Sequence, residues 1–564
     1  MPPHMDKLKD LHTLSDFVIG KQTAPSIVVL KELQIVGTLA ISGLHNIVNS
    51  EDSFVANMRN KHLNGLALTW GAETDDSQKD REVLNNLQPH THLKALSLKF
   101  YGGTRFPDWL GDHSYSNLVS LRLEDCKHCC SLPPLGRLPS LIMLYVCGLN
   151  EVETIGPEFY GNGISVVMPF RSLSVLFFKD MLGWQEWSHF GSGQEGGAFP
   201  HLCQLYLTNC PKLTEKLPEY LPSLTTVEIR RCEQLLGSLP RTRAILEIPS
   251  VKDNLCLEEK TSGTNSSLTP FPCDGLADAL RVLKIKNCLN LSPLNHCYAF
   301  LQTLKIKSSC DSTKCIPLDY FPKVKDLKLY DCRNLESLTY SQDSESPTIL
   351  SLSFLRIFNC PNFVSFPDGG LYAPNLIVFN ISECGKLRSL PEHMCTRLSS
   401  LQAVNLVYCS ELESFPEGGL PSNLDMLRIL GSKKFIANRM HWGLDRLICL
   451  RYLAFSFDEC EDVVSFPEEG LLPTILTTLC IFNSPNLKFL DSKGFQNLTA
   501  LQHLFIDGCN ELECLPEGLP TSLSHLDINK CPLLTERCQK EIGEDWPKIS
   551  QITRVTVDGL DFIN

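Results

Sequence analysis

An apolar spacing of the form L-x-x-L-x-L-x-x-C recurs along most of the 564-residue chain. Apolar and polar residues alternate at the L-x-L step of each copy, and this period of two predicts a short strand. The leucines of such a strand point into a core, and the residues between them face solvent. Five clear copies are Leu118-Leu121-Leu123-Cys126, Leu202-Leu205-Leu207-Cys210, Leu280-Leu283-Ile285-Cys288, Leu352-Leu355-Ile357-Cys360 and Leu501-Leu504-Ile506-Cys509.

The copies return at a nearly constant interval. Ten intervals separate Leu283 from Leu526, with a mean of 24.3 residues, which is typical of leucine-rich repeats and differs from ankyrin and tetratricopeptide periods. The earlier half is less regular, and a degenerate copy at residues 552–560 closes the chain. The second leucine-type position is occupied by Leu39, Leu66, Leu96, Leu121, Leu144, Leu176, Leu205, Val227 and Leu246, then by Leu283, Leu304, Leu327, Leu355, Phe379, Val404, Leu427, Leu453, Leu479, Leu504 and Leu526.

These repeats predict an α/β fold, a leucine-rich-repeat solenoid (horseshoe) of about twenty repeats. We expect a parallel β-sheet on its concave face and loops with short helices on its convex face. Proline often ends the apolar pair that follows the cysteine, as in Phe366-Pro367 and Leu390-Pro391. Because proline lacks an N–H and fixes φ, these segments should turn. Longer outer helices are predicted at residues 53–63, 76–87 and 438–447.

The regularity of the repeats divides the chain into four segments. Residues 1–32 lead into the repeats, and residues 33–257 form an irregular N-terminal array. Residues 258–275, polar and rich in Ser, Thr and Gly, are predicted to form a linker or hinge loop. Residues 276–564 form a regular C-terminal array.

Charge and cysteine content narrow the class of protein. The net charge of −13 argues against general nucleic-acid binding, and no apolar run is long enough to span a bilayer. Residues 1–10 lack the apolar core of a secretion signal. The chain has 25 cysteines, and many occupy one repeat position, so we interpret them as small buried groups in a protein of the reducing cytosol.

Several motifs resemble one particular kind of repeat region. They are found at residues 11–21 (LHTLSDFVIGK), 37–44 (GTLAISGL), 66–70 (LALTW), 101–110 (YGGTRFPDWL), 129–136 (CCSLPPLG) and 155–161 (IGPEFYG). In this order they resemble the leucine-rich-repeat region of plant intracellular disease-resistance proteins of the coiled-coil, nucleotide-binding class. The resemblance covers essentially the whole chain. It implies a cytoplasmic or nucleocytoplasmic immune receptor whose repeats sense a pathogen effector or a modified host protein and restrain a nucleotide-binding switch.

The chain departs from that architecture in two respects. No G-x-x-x-x-G-K-[S/T] loop is present, since Gly20-Lys21 is followed by Gln22 and lacks the upstream glycine. No coiled-coil region precedes the repeats either. We therefore expect a repeat region that lacks the nucleotide-binding domain: a fragment, a truncated gene product or a decoy.

Basic and aromatic residues occupy the solvent-facing strand positions of four successive repeats. Strand pairing predicts that Lys284, Lys305 and Lys328 stack in one column, where like charges about 5 Å apart repel by roughly 0.8 kcal/mol even in bulk water. Such a column favours an acidic protein partner, although a solvated surface would have the same composition. The candidate protein-binding residues are Lys284, Lys286, Lys305, Lys307, Lys328, Tyr330, Arg356 and Phe358.

No other chemistry is assigned. The sequence Cys126-Lys-His-Cys-Cys130 contains one cysteine pair where a structural zinc site needs four ligands, so no metal is assigned there. No enzyme motif and no cofactor-binding motif is found, and the protein is not expected to be an enzyme. Trp184 and Trp187 are either a binding patch or a cover of the core.

The expected function is therefore protein recognition in plant innate immunity. The expected partners are a pathogen effector, a guarded host protein or the nucleotide-binding domain of a receptor, without nucleic acid or a membrane span. Two alternatives stay open: a regulatory decoy that binds a full-length receptor, and a leucine-rich-repeat adaptor such as a ubiquitin-ligase substrate reader.

Overall fold

The computed structural model describes most of the chain in two compact units, Met1–Phe300 and Leu301–Asn564. The described residues are 11–21, 26–73, 76–161, 168–188, 190, 197–214, 217–218, 221–235, 279–290, 297–341, 348–458, 460 and 462–563. The predicted linker at residues 258–275 and the repeat predicted at Leu246 lie outside them. The predicted segment boundaries stay a prediction.

Parallel pairing joins the strands of the first unit into a ladder. Ten strands pair in succession, in the order β1-β2-β3-β4-β5-β6-β8-β10-β11-β12, while β7 pairs with β9 apart from them. Their bounds are β1 Asp16–Val18, β2 Gly37–Ser42, β3 Leu63–Thr69, β4 Ala95–Lys99, β5 Ser120–Glu124, β6 Met143–Cys147, β7 Thr154–Ile155, β8 Val175–Lys179, β9 Glu186–Trp187, β10 Gln204–Thr208, β11 Thr226–Arg230 and β12 Val282–Lys286.

The second unit repeats this arrangement. Its ladder runs β13-β15-β17-β18-β19-β20-β21-β23-β25-β26-β27 in parallel, and β28 adds antiparallel to β27. Two short outer pairs are β14–β16 and β22–β24. The bounds are β13 Thr303–Lys307, β14 Cys315–Pro317, β15 Asp326–Tyr330, β16 Ser337–Thr339, β17 Phe354–Phe358, β18 Val378–Ser382, β19 Ala403–Val407, β20 Met426–Leu430, β21 Tyr452–Ser456, β22 Ser465–Phe466, β23 Thr478–Phe482, β24 Phe489–Leu490, β25 His503–Asp507, β26 His525–Asn529, β27 Arg554–Val557 and β28 Leu560–Ile563.

The register within each ladder follows the predicted leucine positions. Leu327 pairs with Leu355, and Leu355 with Phe379, so apolar residues at the same position of successive repeats lie side by side. Leu355 is fully buried and Ile357 is 1% exposed. The predicted leucine-rich-repeat architecture, with inward leucines on parallel strands, is confirmed.

A left-handed residue ends many of these strands. Asp125, Asn209 and Asn359 have φ of 53°, 57° and 50°, a conformation that Asn and Asp tolerate better than most residues. Gly148 and Gly431 take the equivalent place with φ of 70° and 57°. The turn leads into the repeat cysteine, which is buried and donates weakly to a carbonyl two residues earlier; Cys360 Sγ lies 3.5 Å from Phe358 O. The interpretation of the repeat cysteines as small buried groups is confirmed at the positions that the structure describes.

Short helices and 3-10 turns connect the strands. The α-helices are α1 Ser50–Val55, α2 Ser77–Asn86, α3 Pro157–Tyr160, α4 Met394–Arg397, α5 Lys433–Ala437, α6 Ser492–Phe495, α7 Pro532–Arg537 and α8 Trp546–Ile549. The 3-10 helices are Ile27–Glu32, Leu44–Asn46, Met58–Asn60, Asp108–Gly111, Leu135–Arg137, Leu318–Tyr320, Arg439–His441 and Leu444–Arg446. Among the described helices, none is long and apolar enough to cross a bilayer.

One of the three predicted outer helices has the expected bounds. Helix α2 fits the prediction at residues 76–87, because Asp76 caps it by accepting from the N–H groups of Gln78 and Lys79. The prediction at 53–63 was wrong: the Asn49 cap starts the helix earlier, and Leu63 already begins β3. The prediction at 438–447 was also wrong, since Gly443 in the left-handed region separates two 3-10 turns.

Candidate binding surface on the strands

The outward face of the strands presents every second side chain to solvent. In β15, for example, Leu327 and Leu329 are buried while Asp326, Lys328 and Tyr330 between and beside them are half-buried. Because the pairing is parallel and in register, side chains at the same position of neighbouring strands form columns across the sheet. Such columns are the positions at which a partner would be contacted.

The predicted basic column is present in the second unit. Lys305 pairs in register with Lys328, and Lys328 with Arg356. Asp326, which the sequence analysis overlooked, lies two residues before Lys328 on the same face. It contacts the Lys328 ammonium, and its Oδ1 is 3.0 Å from Arg356 Nη1. The expected repulsion is therefore offset within the sheet itself.

The neighbouring cations are paired as well. Lys307 Nζ is 3.2 Å from a carboxylate oxygen of Asp331, and Lys305 Nζ lies 5.4 Å from the centre of the Tyr330 ring. Tyr330 is 6.2 Å from Phe358, which is 38% exposed. We call Lys305, Lys307, Lys328, Tyr330, Arg356 and Phe358 the basic cluster. Two carboxylates, Asp326 and Asp331, offset part of the charge of its four cations, and its exposed apolar side chain is Phe358.

Lys284 and Lys286 belong to the first unit. They pair in register with Glu228 and Arg230. Lys284 Nζ is 3.6 Å from Glu228 Oε2, and Arg230 contacts the same carboxylate. The predicted step from Lys284 to Lys305 falls between the two units and stays a prediction.

A second surface, which the sequence analysis missed, lies on three neighbouring strands of the first unit. Tyr145, Phe177 and Tyr206 occupy the central outward positions of β6, β8 and β10 and pair in register. All three are half-buried, and we call them the aromatic patch. The Phe177 ring centre is 5.7 Å from that of Tyr145 and 4.1 Å from that of Tyr206. An aromatic residue inside three successive L-x-L steps was the signal that could have revealed it.

Charged residues flank the aromatic patch on both sides. The Arg122 guanidinium lies 4.3 Å from the centre of the Tyr145 ring and 2.7 Å from Glu124. On the other side, Glu228 lies on β11 next to Tyr206. Burial, followed by the nearby Glu228, raises the pKa of Tyr206. Its hydroxyl therefore stays protonated at neutral pH, and it donates to Gln204 Oε1 at 3.1 Å.

The cysteines at 126 and 129 and the two tryptophans that the sequence singled out are parts of the core. Cys129 is buried and donates to Gly103 O at 3.0 Å, while Cys126 belongs to the repeat core. Trp184 and Trp187 are 0% and 1% exposed and pack together in the core. Trp187 Nε1 donates to the Tyr160 hydroxyl at 2.8 Å. The tryptophans therefore cover the core and do not form a binding patch.

The ladders of parallel strands on buried leucines define a leucine-rich-repeat protein. Residues 27–149 match the leucine-rich-repeat family described as R13L1/DRL21 LRRs. The chain is thus a leucine-rich-repeat module whose relatives are named as plant disease resistance proteins. One such protein of Arabidopsis thaliana is 29% identical over 98% of this chain and 53% of its own length.

Two further relatives have similar names. A disease resistance RPP13-like protein 1 of Arabidopsis thaliana is 32% identical, covering 62% of this chain and 30% of that protein. The disease resistance protein RGA1 of Solanum bulbocastanum is 30% identical over 45% of this chain and 25% of that protein. The chain thus spans about half or less of the length of these relatives.

Solved structures align with low scores. The TLR13–ssRNA13 complex gives a TM-score of 0.38 at 15% identity, covering 94% of this chain and 65% of that chain. The PEPR1–AtPEP1 structure gives a TM-score of 0.30 at 14% identity, covering 99% of this chain and 90% of that chain. The fold assignment rests on the strand ladders themselves.

Proposed function

We propose that this chain is a protein-recognition module of plant innate immunity that acts in the cytoplasm without catalysing a reaction. Its ligand is a pathogen effector or a modified host protein. In a full-length receptor the same repeats would restrain a nucleotide-binding switch. The names of the relatives support the pathway, and the open strand face supports the mode of action.

The aromatic patch is the observation that carries this proposal. Tyrosine, tryptophan and arginine are enriched among the residues that dominate protein–protein binding energy. Here two tyrosines and a phenylalanine lie side by side, with Arg122 stacked at one edge. Met143, 43% exposed on the same strand as Tyr145, extends the apolar area. Charged residues at the rim would then select the partner and set the orientation.

The basic cluster is a second candidate surface. Phe358 offers an exposed anchor, and Lys305 lies over the Tyr330 ring beside it. Because Asp326 and Asp331 already balance neighbouring cations, we expect this surface to contribute less than the aromatic patch.

A matched pair of variants tests the aromatic patch. The whole chain is expressed in plant cells as wild type, as Phe177→Ala and as Phe54→Ala, whose side chain is 67% exposed on α1 away from the strands. Captured proteins are quantified by mass spectrometry. We expect a partner that wild type and Phe54→Ala retain and that Phe177→Ala loses at least tenfold, about 1.4 kcal/mol. Equal capture by all three chains would reject the strand face as the binding surface.

The identity of that partner separates the alternatives. An effector or a guarded host protein supports direct sensing. A full-length receptor recovered through its nucleotide-binding domain supports the decoy, and ligase subunits support the adaptor. A parallel Phe358→Ala chain shows whether the basic cluster takes part.

A further inference from the structure

Three histidines from two consecutive repeats converge in the first unit. One nitrogen from each of His62, His90 and His92 lies within 4.8 Å of the others. Their ring centres are 4.4 Å apart for His62 and His90 and 4.5 Å apart for His90 and His92. We propose that these three imidazoles form a zinc-binding site, distinct from the strand face and independent of the proposed function.

The backbone around the cluster holds the three side chains together. His62 immediately precedes β3, while His90 and His92 lie in the turn that precedes β4. These strands pair in parallel, and Lys94 N donates to Asn64 O at 2.9 Å, which aligns their starts. The turn is anchored by Tyr115, whose hydroxyl donates to Pro89 O at 2.9 Å. The site thus spans two repeats whose relative position is already set.

The geometry suits a tetrahedral ion with one open position. Zinc binds imidazole nitrogen at about 2.0–2.1 Å, so three such ligands lie about 3.4 Å from one another. The nitrogens now lie within 4.8 Å of one another, so small side-chain rotations of His62 and His92, which are both exposed, would bring them to the distance that zinc requires. Within the described residues no carboxylate or thiol joins the group. Water, or a side chain of a partner, would take the fourth place.

A histidine ligand must be unprotonated, so zinc binding competes with protonation of the rings. A cation directed into the cluster would also oppose binding. Of the nearby cations, Lys61 donates its ammonium to Leu33 O at 2.7 Å and Arg59 contacts Gln88, so both are bound elsewhere.

One existing contact would change on binding. The His92 N–H donates to His90 Nδ1 at 3.1 Å. Coordination through Nδ1 replaces this hydrogen bond, and coordination through Nε2 moves the ring proton to Nδ1. Either route lowers the affinity relative to a fully preorganised site.

Zinc titration of the whole chain tests the site. Bound metal is first removed with a chelator, and exposed thiols are blocked with N-ethylmaleimide so that cysteine does not compete. Wild type is compared with His62→Gln/His92→Gln and with the control His45→Gln/His128→Gln, which changes two exposed histidines outside the cluster. Calorimetry then gives the stoichiometry and affinity for ZnCl2.

We expect wild type and control to bind one equivalent and the cluster variant to bind at least about tenfold more weakly. Added zinc should also raise the thermal midpoint of wild type and control but not of the variant. With Co²⁺, visible bands without thiolate charge transfer would identify nitrogen ligands. No binding by the thiol-blocked wild type, or a loss below tenfold in the cluster variant, would overturn the proposal. His92→Asn alone, in an exposed turn position, repeats the test if the double variant does not fold.

Discussion

Phe177 and Tyr206 stack face to face on neighbouring strands, with ring centres 4.1 Å apart and ring planes 3° apart. The in-register pairing of the two strands places these rings side by side, and parallel stacking is one of the arrangements that aromatic pairs favour when the rings are offset. The pair leaves one broad aromatic surface on the outward side of the sheet.

The stacked pair should contribute a measurable coupling to stability. In a double-mutant cycle with Phe177→Leu and Tyr206→Leu, we expect a coupling free energy of about 0.2–1 kcal/mol in urea unfolding, as for other cross-strand pairs. The control cycle of Phe54→Leu with Tyr206→Leu joins residues of α1 and β10 that share no contact, and it should be additive. A coupling as large in the control would mean that the signal comes from general loosening of the sheet.

Gly431 should resist substitution more than Gly419, although both glycines are in the left-handed region. Its φ is 57°, and a Cβ there would lie 2.1 Å from Cδ1 of the Tyr408 ring. Gly419 has φ of 71° but nothing within 4 Å of its Cβ position. Gly419→Ala should therefore cost only the backbone strain, about 1–2 kcal/mol. Gly431→Ala should cost about 1–3 kcal/mol more because of the steric overlap.

Chemical denaturation of both variants checks this difference. In a Tyr408→Ala background, Gly431→Ala should lower the free energy of unfolding only by the backbone strain, because the overlap with the Tyr408 ring is gone. Equal losses in the two single variants would show that the Tyr408 ring moves aside at no cost.

Asp545 should make the C-terminal repeats sensitive to acid. Burial alone would raise the pKa of this fully buried carboxyl, but bonds from Arg537, the Leu515 N–H and Lys548 outweigh burial and lower it. The folded pKa therefore lies below the unfolded value of about 3.9. Its stabilisation is present above that value and is lost as pH falls through the folded pKa.

Asp545→Asn should thus destabilise the protein at pH 7 by about 1.5–3 kcal/mol, the range for hydrogen bonds to charged groups. The difference from wild type should shrink as the pH falls below about 4. Asp561→Asn is the matched control, because Asp561 is 46% exposed and pairs with Arg554 at 2.8 Å. An exposed pair of this kind contributes about 0–1 kcal/mol. A pH-independent effect at Asp545 would contradict this assignment.

Thiol reactivity should separate the cysteines into two groups. Cys130, Cys315 and Cys449 are exposed, whereas Cys409 is buried, and burial raises its pKa to about 11. Brief alkylation of the native protein should modify the exposed three and spare Cys409, as peptide mass spectrometry would show. Full alkylation in denaturant is the control. Rapid native labelling of Cys409 would indicate local opening of its repeat.

A surface could be predicted from the sequence where its residues occupy the same position of successive repeats. Lys305 and Lys328 were correctly placed in one column, because both occupy the same position of the repeat. Asp326 was overlooked because the position before the first buried residue of a strand was not counted as part of the outward face. The histidine cluster was missed for a different reason. His62 and His92 each lie four residues before a paired leucine, Leu66 or Leu96, but His90 is off that register and joins them only through the connection between β3 and β4.

The sequence by itself determined the repeat, its inward leucines, its buried cysteines and the parallel register. These follow from two periods that can be read directly along the chain, the two-residue alternation within a strand and the interval between repeats. Only the tertiary structure decided how outward side chains pair, which carboxylates balance the lysines, and that the Phe177 and Tyr206 rings lie in contact. Those relations join residues of different repeats, and they depend on side-chain geometry and loop paths that no period encodes.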